Sequence, residues 1–334
     1  MKAITKNVLS SLLLVSVTVT ALSGVGEAKG EEKTVVNIGT MNLVNGDLIA
    51  QYEAYYENEL DAEVHIIQFD SGKDVNIAMA AGSIDISELG SSPTALGLSN
   101  GTDYQVFWIG DIIGAAESLA VTEESGITDI QDLVGKTIAT PFASTAHYSL
   151  LNAIQEAGLS ENDVTLLDLQ PSAIFAAWQR GDVDGAYVWY PVLDELLSDG
   201  GKVITHSGEL AKKDIITGDL NVVRSAYAME HPDIVTNYVK AQIKANEILL
   251  NEPDKAAEEI AAILEIEKED AAEQITQFEY LTAQEQIDFI ENKLPQTLKN
   301  TGDFLVTQKS IKDTLDLEGF ADRVTTKFIE AAIE

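Results

Sequence analysis

Cysteine is absent from the 334 residues of this chain. Its absence excludes a disulfide scaffold, a metal site built from thiolates and an enzyme with a cysteine nucleophile. Histidine is almost as scarce: the chain has four, scattered along its length, and we expect His65 and His206 at strand edges or on the surface. Scattered histidines without cysteine do not make a metal site, so we expect neither a metal nor a cofactor.

Basic side chains are also few. The chain has 21 Lys and Arg against 55 Asp and Glu, which gives a formal net charge of −34. Such a chain repels phosphates, which excludes nucleic acid as a partner. The acids are spread over segments with helical spacing, which is typical of a solvated surface. A surface of this kind favours solubility in high salt or outside an alkaline cell, and the sequence leaves both open.

Long apolar runs are missing after the first residues. Near the N-terminus, two lysines precede an apolar run at 8–19 and then small residues, which is the layout of a secretory signal. We predict a signal peptide over residues 1–28 and export to the periplasmic or extracellular side of the cell membrane. Residues 22–24 also resemble the start of a lipobox. Val25 stands where the lipid-bearing cysteine would be, so we expect no such anchor on the chain as written.

What is present is an alternation of short β-branched runs and amphipathic helical segments. This pattern predicts an α/β fold with a mainly parallel sheet covered by helices. The predicted strands lie at 35–39, 64–67, 84–87, 106–110, 119–122, 137–140, 164–168, 183–188, 202–205 and 221–224. After His231 the sequence predicts acidic helices only. Since no flexible linker is visible, any second lobe has to be joined by strands.

The segment at 170–191 carries a concentration of aromatic side chains. An apolar helix that starts with a proline is followed by a turn at Gly181 and Asp182 and then by a buried strand that ends near Tyr187 and Trp189. A strand with aromatics at its end is well placed to line a pocket. An ordinary helix–turn–strand unit of an α/β core explains the same pattern and is favoured by the spacing alone, so the rest of the chain has to decide.

Two predicted helices begin directly after a strand, with hydroxyl side chains at the start. The first start is LGSSP at 89–93 and the second is PFASTAHY at 141–148. Backbone N–H groups and hydroxyls at a helix N-terminus bind an anion without any formal positive charge. Plain N-capping is the alternative interpretation of each start.

Four blocks of sequence carry a family resemblance. They read FDSGKDVNIAMAAGSIDISELGSSP at 69–93, PFASTAHYSLL at 141–151, LQPSAIFAAWQRGDVDGAYVWYP at 169–191 and TGDLNVVR at 217–224. These blocks resemble the taurine-binding proteins of bacterial ABC importers, in a wider family that includes aliphatic-sulfonate-, nitrate- and thiamine-precursor-binding proteins. The likeness runs in order from about Val35 to the C-terminus and is thin in the helical tail.

The resemblance implies a two-lobed type II periplasmic binding protein fold with two crossover strands. The crossovers would lie near 119–122 and 220–224, with residues 35–120 plus 220–334 in lobe one and 121–219 in lobe two. In this fold the lobes close on a ligand at their interface. The implied partners are the membrane permease and ATPase subunits of an ABC importer, and we expect a monomer.

The resemblance also implies residue roles towards taurine, which carries a sulfonate at one end and an ammonium at the other. The sulfonate needs neutral donors, the ammonium needs a carboxylate, and the short carbon chain needs walls that exclude water. The matching positions are Ser91, Ser92, Ser144 and Thr145 for the sulfonate, Asp219 for the ammonium with Glu117 as second candidate, and Trp189, Tyr187 and His147 for the walls.

Two departures from the family pattern concern positions that are candidates to face the ligand. The segment at 40–43 differs from the polar segment expected there, and Asn221 stands where an aromatic is usual. Both changes leave more room. Glycine betaine, an alkanesulfonate, a longer aminosulfonate or another small zwitterion is therefore an alternative to taurine.

The sequence is compatible with functions from three classes. The favoured function is a receptor, not an enzyme, which binds taurine and signals to a permease by lobe closure. An enzyme of the thiamine-pyrimidine branch would need a cysteine or a metal–histidine site, and neither is visible. An acidic surface protein that binds cations would need a carboxylate loop with metal-ligand spacing, which the sequence lacks.

Overall fold

The computed structural model describes residues 33–334, so the predicted signal peptide lies outside the described residues. The described part contains eleven strands in two sheets. The strands are β1 (Val35–Thr40), β2 (Glu63–Gln68), β3 (Ile86–Gly90), β4 (Tyr104–Ile113), β5 (Glu117–Val121), β6 (Thr137–Thr140), β7 (Thr165–Asp168), β8 (Gly185–Trp189), β9 (Lys202–His206), β10 (Gly218–Arg224) and β11 (Phe278–Glu279). All ten strands predicted from the sequence are confirmed, and no boundary differs from its predicted position by more than three residues.

Helices cover the sheets and make up most of the chain after residue 224. They are α1 (Gly46–Tyr52), α2 (Tyr55–Glu59), α3 (Gly72–Ala81), α4 (Ser91–Ser99), α5 (Thr145–Glu156), α6 (Pro171–Gln179), α7 (Val192–Ser198), α8 (Ser207–Ala211), α9 (Ser225–Glu230), α10 (Pro232–Asn251), α11 (Pro253–Leu264), α12 (Lys268–Ile275), α13 (Ala283–Asn292), α14 (Leu294–Thr307), α15 (Leu317–Ala321) and α16 (Lys327–Ile333). Among residues 33–334, no helix is both long enough and apolar enough to cross a lipid bilayer.

The strands form two separate sheets. Sheet one has the order β11-β4-β10-β3-β1-β2, and sheet two has the order β7-β6-β8-β5-β9. The chain passes from sheet one to sheet two between β4 and β5, at 114–116, and returns between α8 and β10, at 212–217. Sheet two is therefore built from one continuous segment, whereas sheet one takes strands from both sides of it. The predicted lobe boundaries at 120 and 219 remain a prediction.

The prediction of mainly parallel sheets is wrong, because both sheets are mixed. The pairs of β1 with β2 and β3, and of β6 with β7 and β8, are parallel. β10 runs antiparallel to β3 and β4, and β5 runs antiparallel to β8 and β9. Parallel neighbours need a crossover connection, usually a helix. β5 and β10 are the first strands after the chain passes from one sheet to the other, and each runs antiparallel to both of its neighbours.

Apolar side chains of the strands and the helices packed on them make up the core. On sheet one, Ile38, Ile86 and Val222 are fully buried, as expected for central strands covered on both faces. On sheet two, Leu119 and Ile138 are fully buried in a smaller cluster. This packing holds rigid the strand ends that face the gap between the sheets.

Candidate functional site

A cavity lies where residues from the ends of both sheets meet. It encloses about 420 Å³ of atom-free space, including the part open to solvent. Its lining on the side of sheet one is Met41, Leu43, Gly72, Gly90, Pro93, Ile113, Asp219 and Phe278, and on the side of sheet two Ala116, Glu117, Ser144, Thr145, Trp189 and Tyr190. The parallel strands β1, β3, β6 and β8 all point their carboxyl ends at this space. In open α/β sheets, ligands bind at that edge.

The two walls of the cavity stand close together. A Cβ atom added to Gly90 would lie 2.7 Å from Thr145 Cγ2 on the opposite wall. At the rim, Ser172 Oγ donates a hydrogen bond to Asp70 Oδ2 at 2.6 Å. The two walls are thus in contact at the Gly90–Thr145 pair and at the Asp70–Ser172 pair.

Glu117 is the carboxyl group of the wall that belongs to sheet two. It is 1% exposed, and it accepts hydrogen bonds from Ser207 Oγ at 2.6 Å, from Ser149 Oγ at 3.3 Å and from Thr145 Oγ1 at 2.5 Å. Burial raises the pKa of Glu117 to about 7, although the three hydroxyl donors act in the opposite direction. Glu117 therefore exchanges its proton close to neutral pH.

The hydroxyls at the start of α5 are already engaged within the protein. Thr145 donates to Glu117, and Ser144 Oγ donates to the Pro141 carbonyl at 2.6 Å while it accepts from the His147 N–H. A hydroxyl has a single hydrogen to donate. In the described hydrogen bonds, the backbone N–H groups of Thr145 and Ala146 have no acceptor. These amides are the donors that the helix start offers to an anion.

Asp219 is the carboxyl group of the wall that belongs to sheet one. In β10 it lies opposite Gly90 of β3 and opposite Asp111 of β4, and it is 5% exposed. Burial raises the pKa of Asp219 well above its ordinary range, and the charges of Asp111, Glu88 and Glu117 raise it further. Burial and the neighbouring carboxyl groups therefore favour the protonated form of Asp219.

The structure brings five of the predicted site residues to the cavity. They are Glu117, Ser144, Thr145, Trp189 and Asp219. Ser91 and Ser92 are buried at the start of α4, behind the Gly90 and Pro93 that line the cavity. The ligand-binding roles of all these residues remain predictions.

The remaining two predicted residues lie behind the lining. His147 stacks on Phe142 with ring centroids 4.4 Å apart, and burial lowers its pKa to about 4. Tyr187 is fully buried, with its hydroxyl 3.3 Å from Ser207 Oγ. Tyr187 thus contacts a residue that holds Glu117, and neither side chain is part of the cavity lining.

Of the two departures from the family pattern, one faces the cavity. Met41 and Leu43 line it, whereas Asn221 is buried and donates to the Tyr238 hydroxyl at 3.0 Å. Sequence reasoning missed the apolar lining residues, which resemble ordinary core residues in the sequence. It also missed Glu88 and Asp111, for which a signal exists: each is a lone acid in an apolar strand.

The arrangement suits a small molecule that carries a positive charge at one end and a negative charge at the other. Carboxyl groups face the cavity from both walls, and amide donors lie at one helix start. Within residues 33–334, no group of three or more His, Cys, Asp or Glu side chains is arranged to hold a metal ion.

The buried carboxyls predict that the protein is more stable in mild acid than in mild base. Asp111 and Glu117 have pKa values of about 7, against ordinary values of 3.8 and 4.5. A folded-state pKa above the unfolded one means that proton binding favours the fold. This contribution is complete below about pH 4 and is lost as the pH rises through 7. We expect the melting temperature to be higher at pH 5 than at pH 8. In Glu117→Gln, we expect this difference to be smaller.

Thermal melts across this range measure the effect. Exposed acids with a lowered pKa, such as Asp132, destabilise the fold when they take up a proton. This happens only as the pH falls below the ordinary aspartate pKa of 3.8, which lies outside the measured range. Reduced charge repulsion acts in the same direction as the buried acids, so the comparison with Glu117→Gln isolates the buried group. Equal slopes in the two proteins would contradict the prediction.

Comparisons with known proteins agree with this architecture. The family model described as NMT1/THI5 like matches residues 42–256. The taurine-binding periplasmic protein of Escherichia coli is 35% identical over 288 residues, which cover 84% of this chain and 88% of that protein.

Solved structures show the same fold. The alkanesulfonate-binding protein SsuA of Xanthomonas axonopodis pv. citri, bound to MOPS, has a TM-score of 0.74 at 22% identity and covers 89% of this chain and 99% of its own. The periplasmic aliphatic sulphonate binding protein SsuA of Escherichia coli has a TM-score of 0.70 at 19% identity, with 85% and 91% covered. The predicted two-lobed α/β fold with two crossovers is confirmed.

Proposed function

Because this chain belongs to the NMT1/THI5-like family, we propose that it is the solute-binding receptor of an ABC importer and that its ligand is taurine. The observation that carries the ligand assignment is the pair of carboxyl groups, Asp219 and Glu117, which line one cavity from opposite walls. A ligand held between them bridges the two sheets. Binding therefore favours the closed form that a permease recognises.

The carboxyl groups support a ligand with a cationic end. Asp219 and Glu117 are both buried, and neither makes an ion pair with a basic side chain among residues 33–334. A buried carboxylate without a partner is costly, whereas an ammonium between two of them receives charge-assisted hydrogen bonds. An aminosulfonate provides that ammonium and an alkanesulfonate does not.

The rest of the lining supports a short ligand with an anionic end. The Thr145 and Ala146 amides at the start of α5 are oriented donors for a sulfonate, and the positive end of the helix dipole adds to them. Trp189, Met41 and Phe278 supply apolar surface for a short carbon chain. Apolar walls exclude water and strengthen the charged contacts at both ends.

Export and assembly with an importer complete the proposal. The relatives described above are named as periplasmic or sulfonate-binding proteins, which supports a receptor on the outer side of the cell membrane. The partners would be the permease and ATPase subunits of the importer, with the receptor acting as a monomer. Relatives named as binding proteins favour this role over an enzyme.

A thermal-shift screen of the chain without residues 1–28 tests the ligand. At a concentration of 100 times its Kd, a ligand that binds only the native state adds about 2.7 kcal/mol of stability. For a protein of this size we expect a rise in melting temperature of about 4 °C with taurine at pH 8. We expect ethanesulfonate, glycine betaine and nitrate to give smaller shifts.

Ethanesulfonate is the matched comparison, because it differs from taurine by the amine alone. A larger shift with ethanesulfonate than with taurine would show that the ligand is an alkanesulfonate and not taurine. The proposed receptor role would be unaffected. No shift with any sulfonate, betaine or nitrate would count against the receptor role itself.

A further inference from the structure

Three carboxyl groups lie on adjacent strands at the cavity. Glu88 of β3, Asp111 of β4 and Asp219 of β10 belong to neighbouring strands, with β10 in the middle. Glu88 is 1% exposed and Asp111 is fully buried, and only Asp219 lines the cavity. We call these three residues the acid cluster.

The acid cluster has too few hydrogen-bond donors for three carboxylates. Asn45 Nδ2 donates to Glu88 Oε1 at 2.6 Å and to Asp111 Oδ2 at 2.9 Å, which uses both of its hydrogens. No donor among residues 33–334 reaches Glu88 Oε2 or Asp111 Oδ1. Buried carboxylate oxygens without donors are costly, so the cluster retains protons.

The surroundings of the acid cluster add negative charge. The titratable groups that face it are Asp47 of α1, Glu117 of β5 and Tyr280 before α13, with Tyr56 and Tyr238 behind Asp47. None of these groups forms an ion pair with a Lys, Arg or His in the described part of the chain. The neutralising charge therefore has to come from protons or from a ligand.

We propose that Glu88 and Asp111 are specificity-determining residues, which keep a proton on Asp219 until the ammonium of a ligand takes its place. The proposal rests on the proposed function, because it assumes that the ligand carries an ammonium group. In the exchange, the O–H bond of Asp219 breaks and the proton leaves to solvent. An ammonium N–H then donates to the carboxylate that remains.

A difference between ligands follows from this exchange. Taurine has to displace the proton, so its affinity falls as the pH falls below the pKa of Asp219. Ethanesulfonate has no ammonium and binds beside a neutral Asp219, so its affinity does not fall in the same way. The preference for taurine therefore grows with pH.

The pKa directions in the acid cluster agree with this exchange. Burial raises the pKa of Glu88 well above its ordinary range, and the charges of Asp47 and Asp111 raise it further. Burial raises the pKa of Asp111 to about 7. Burial also raises the pKa of Asp219, and the charge of Asp111 raises it further. Replacing Asp111 or Glu88 by its amide removes one of these charges. Asp219 then ionises at a lower pH.

Calorimetric titration with taurine and ethanesulfonate between pH 5.5 and pH 8.5 tests the proposal. For the unmodified protein we expect release of about one proton per taurine at pH 7, measured by comparing buffers of different ionisation enthalpy. Below the pKa of Asp219, we expect the ratio of the two Kd values to change about tenfold per pH unit. In Asp111→Asn and in Glu88→Gln, we expect a smaller proton release and a flatter pH profile.

Glu259→Gln is the matched control. Glu259 is another buried acid whose pKa is raised to about 7 by burial, but it lies on α11 and does not line the cavity. We expect this variant to keep the pH profile of the unmodified protein. A taurine affinity independent of pH in the unmodified protein, or equal profiles in Asp111→Asn and Glu259→Gln, would overturn the proposal.

A measurement without ligand separates this proposal from the proposed function. In the unmodified protein, carbon NMR titration should show the Asp219 carboxyl protonated at pH 7. In Asp111→Asn, the same carboxyl should ionise at a lower pH than in the unmodified protein. If taurine fails to bind but the carboxyl titrates in this way, the ligand assignment fails and the role of the acid cluster stands. If the carboxyl is ionised at pH 6 in the unmodified protein, the role of the acid cluster fails, whatever taurine does.

Discussion

Replacing Asp219 by Asn is expected to weaken taurine binding at pH 8.5 by about 30-fold or more. The amide keeps the shape of the side chain and removes the charge that the ammonium needs, and the loss of one partner of a buried charge pair costs about 2 to 5 kcal/mol. Ethanesulfonate has no ammonium, so its affinity should change little. The preference for taurine over ethanesulfonate should therefore disappear in Asp219→Asn, as measured by calorimetry.

Asp182→Asn is the control for this change. Asp182 lies on an exposed turn, where its carboxylate contacts Arg180 Nε at 2.7 Å, and it does not line the cavity. We expect this variant to bind taurine like the unmodified protein. Taurine binding that survives in Asp219→Asn would show that the ammonium pairs with another group, and Glu117 would be the first to examine.

Replacing Gly90 by Ala is expected to weaken taurine binding by about 5- to 150-fold, because the added methyl prevents closure of the cleft. Gly90 has a φ of −60°, so alanine is compatible with its backbone. The new Cβ would lie 2.7 Å from Thr145 Cγ2, which is closer than carbon atoms approach without a shift. Inserting a methyl into a packed contact costs about 1 to 3 kcal/mol. That cost falls on the closed form, which the ligand needs.

The contact partner provides a rescue experiment. Thr145→Ser removes the Cγ2 methyl and keeps the hydroxyl that donates to Glu117. The double variant Gly90→Ala with Thr145→Ser should recover most of the taurine affinity, since the next contacts of the added Cβ lie at 3.4 Å or beyond. Weak binding in the double variant would indicate that alanine acts through the start of α4 and not through closure.

The strands could be predicted from the sequence, but their directions could not. Runs such as 137–140 and 202–205 carry a clear β-branched signal and occur as β6 and β9. The direction of β5 and β10 depends on the passage between sheets, which no local pattern records. The sequence signal for β11 is also weak, because this strand has two residues and exists through its pairing with β4.

The candidate site was predictable where a residue type matches a chemical need. The family resemblance implies Asp219 and Glu117 as carboxyl groups for an ammonium, and both line the cavity. The hydroxyls of Ser144 and Thr145 were expected as sulfonate donors, but the sequence does not record that Pro141 and Glu117 accept their hydrogens. Hydrogen-bond partners distant in sequence are a property of the fold.

The discontinuous origin of sheet one bears on the order in which the molecule is assembled during synthesis. β10 inserts between β3 and β4, yet it begins more than a hundred residues after β4 begins. Contacts between residues so distant in the chain form slowly, and a chain emerges from the ribosome with its N-terminal part first. The continuous segment 117–206 can complete sheet two before β10 is available. Since β10 carries Asp219, the cavity between the sheets is among the last parts of the protein to form.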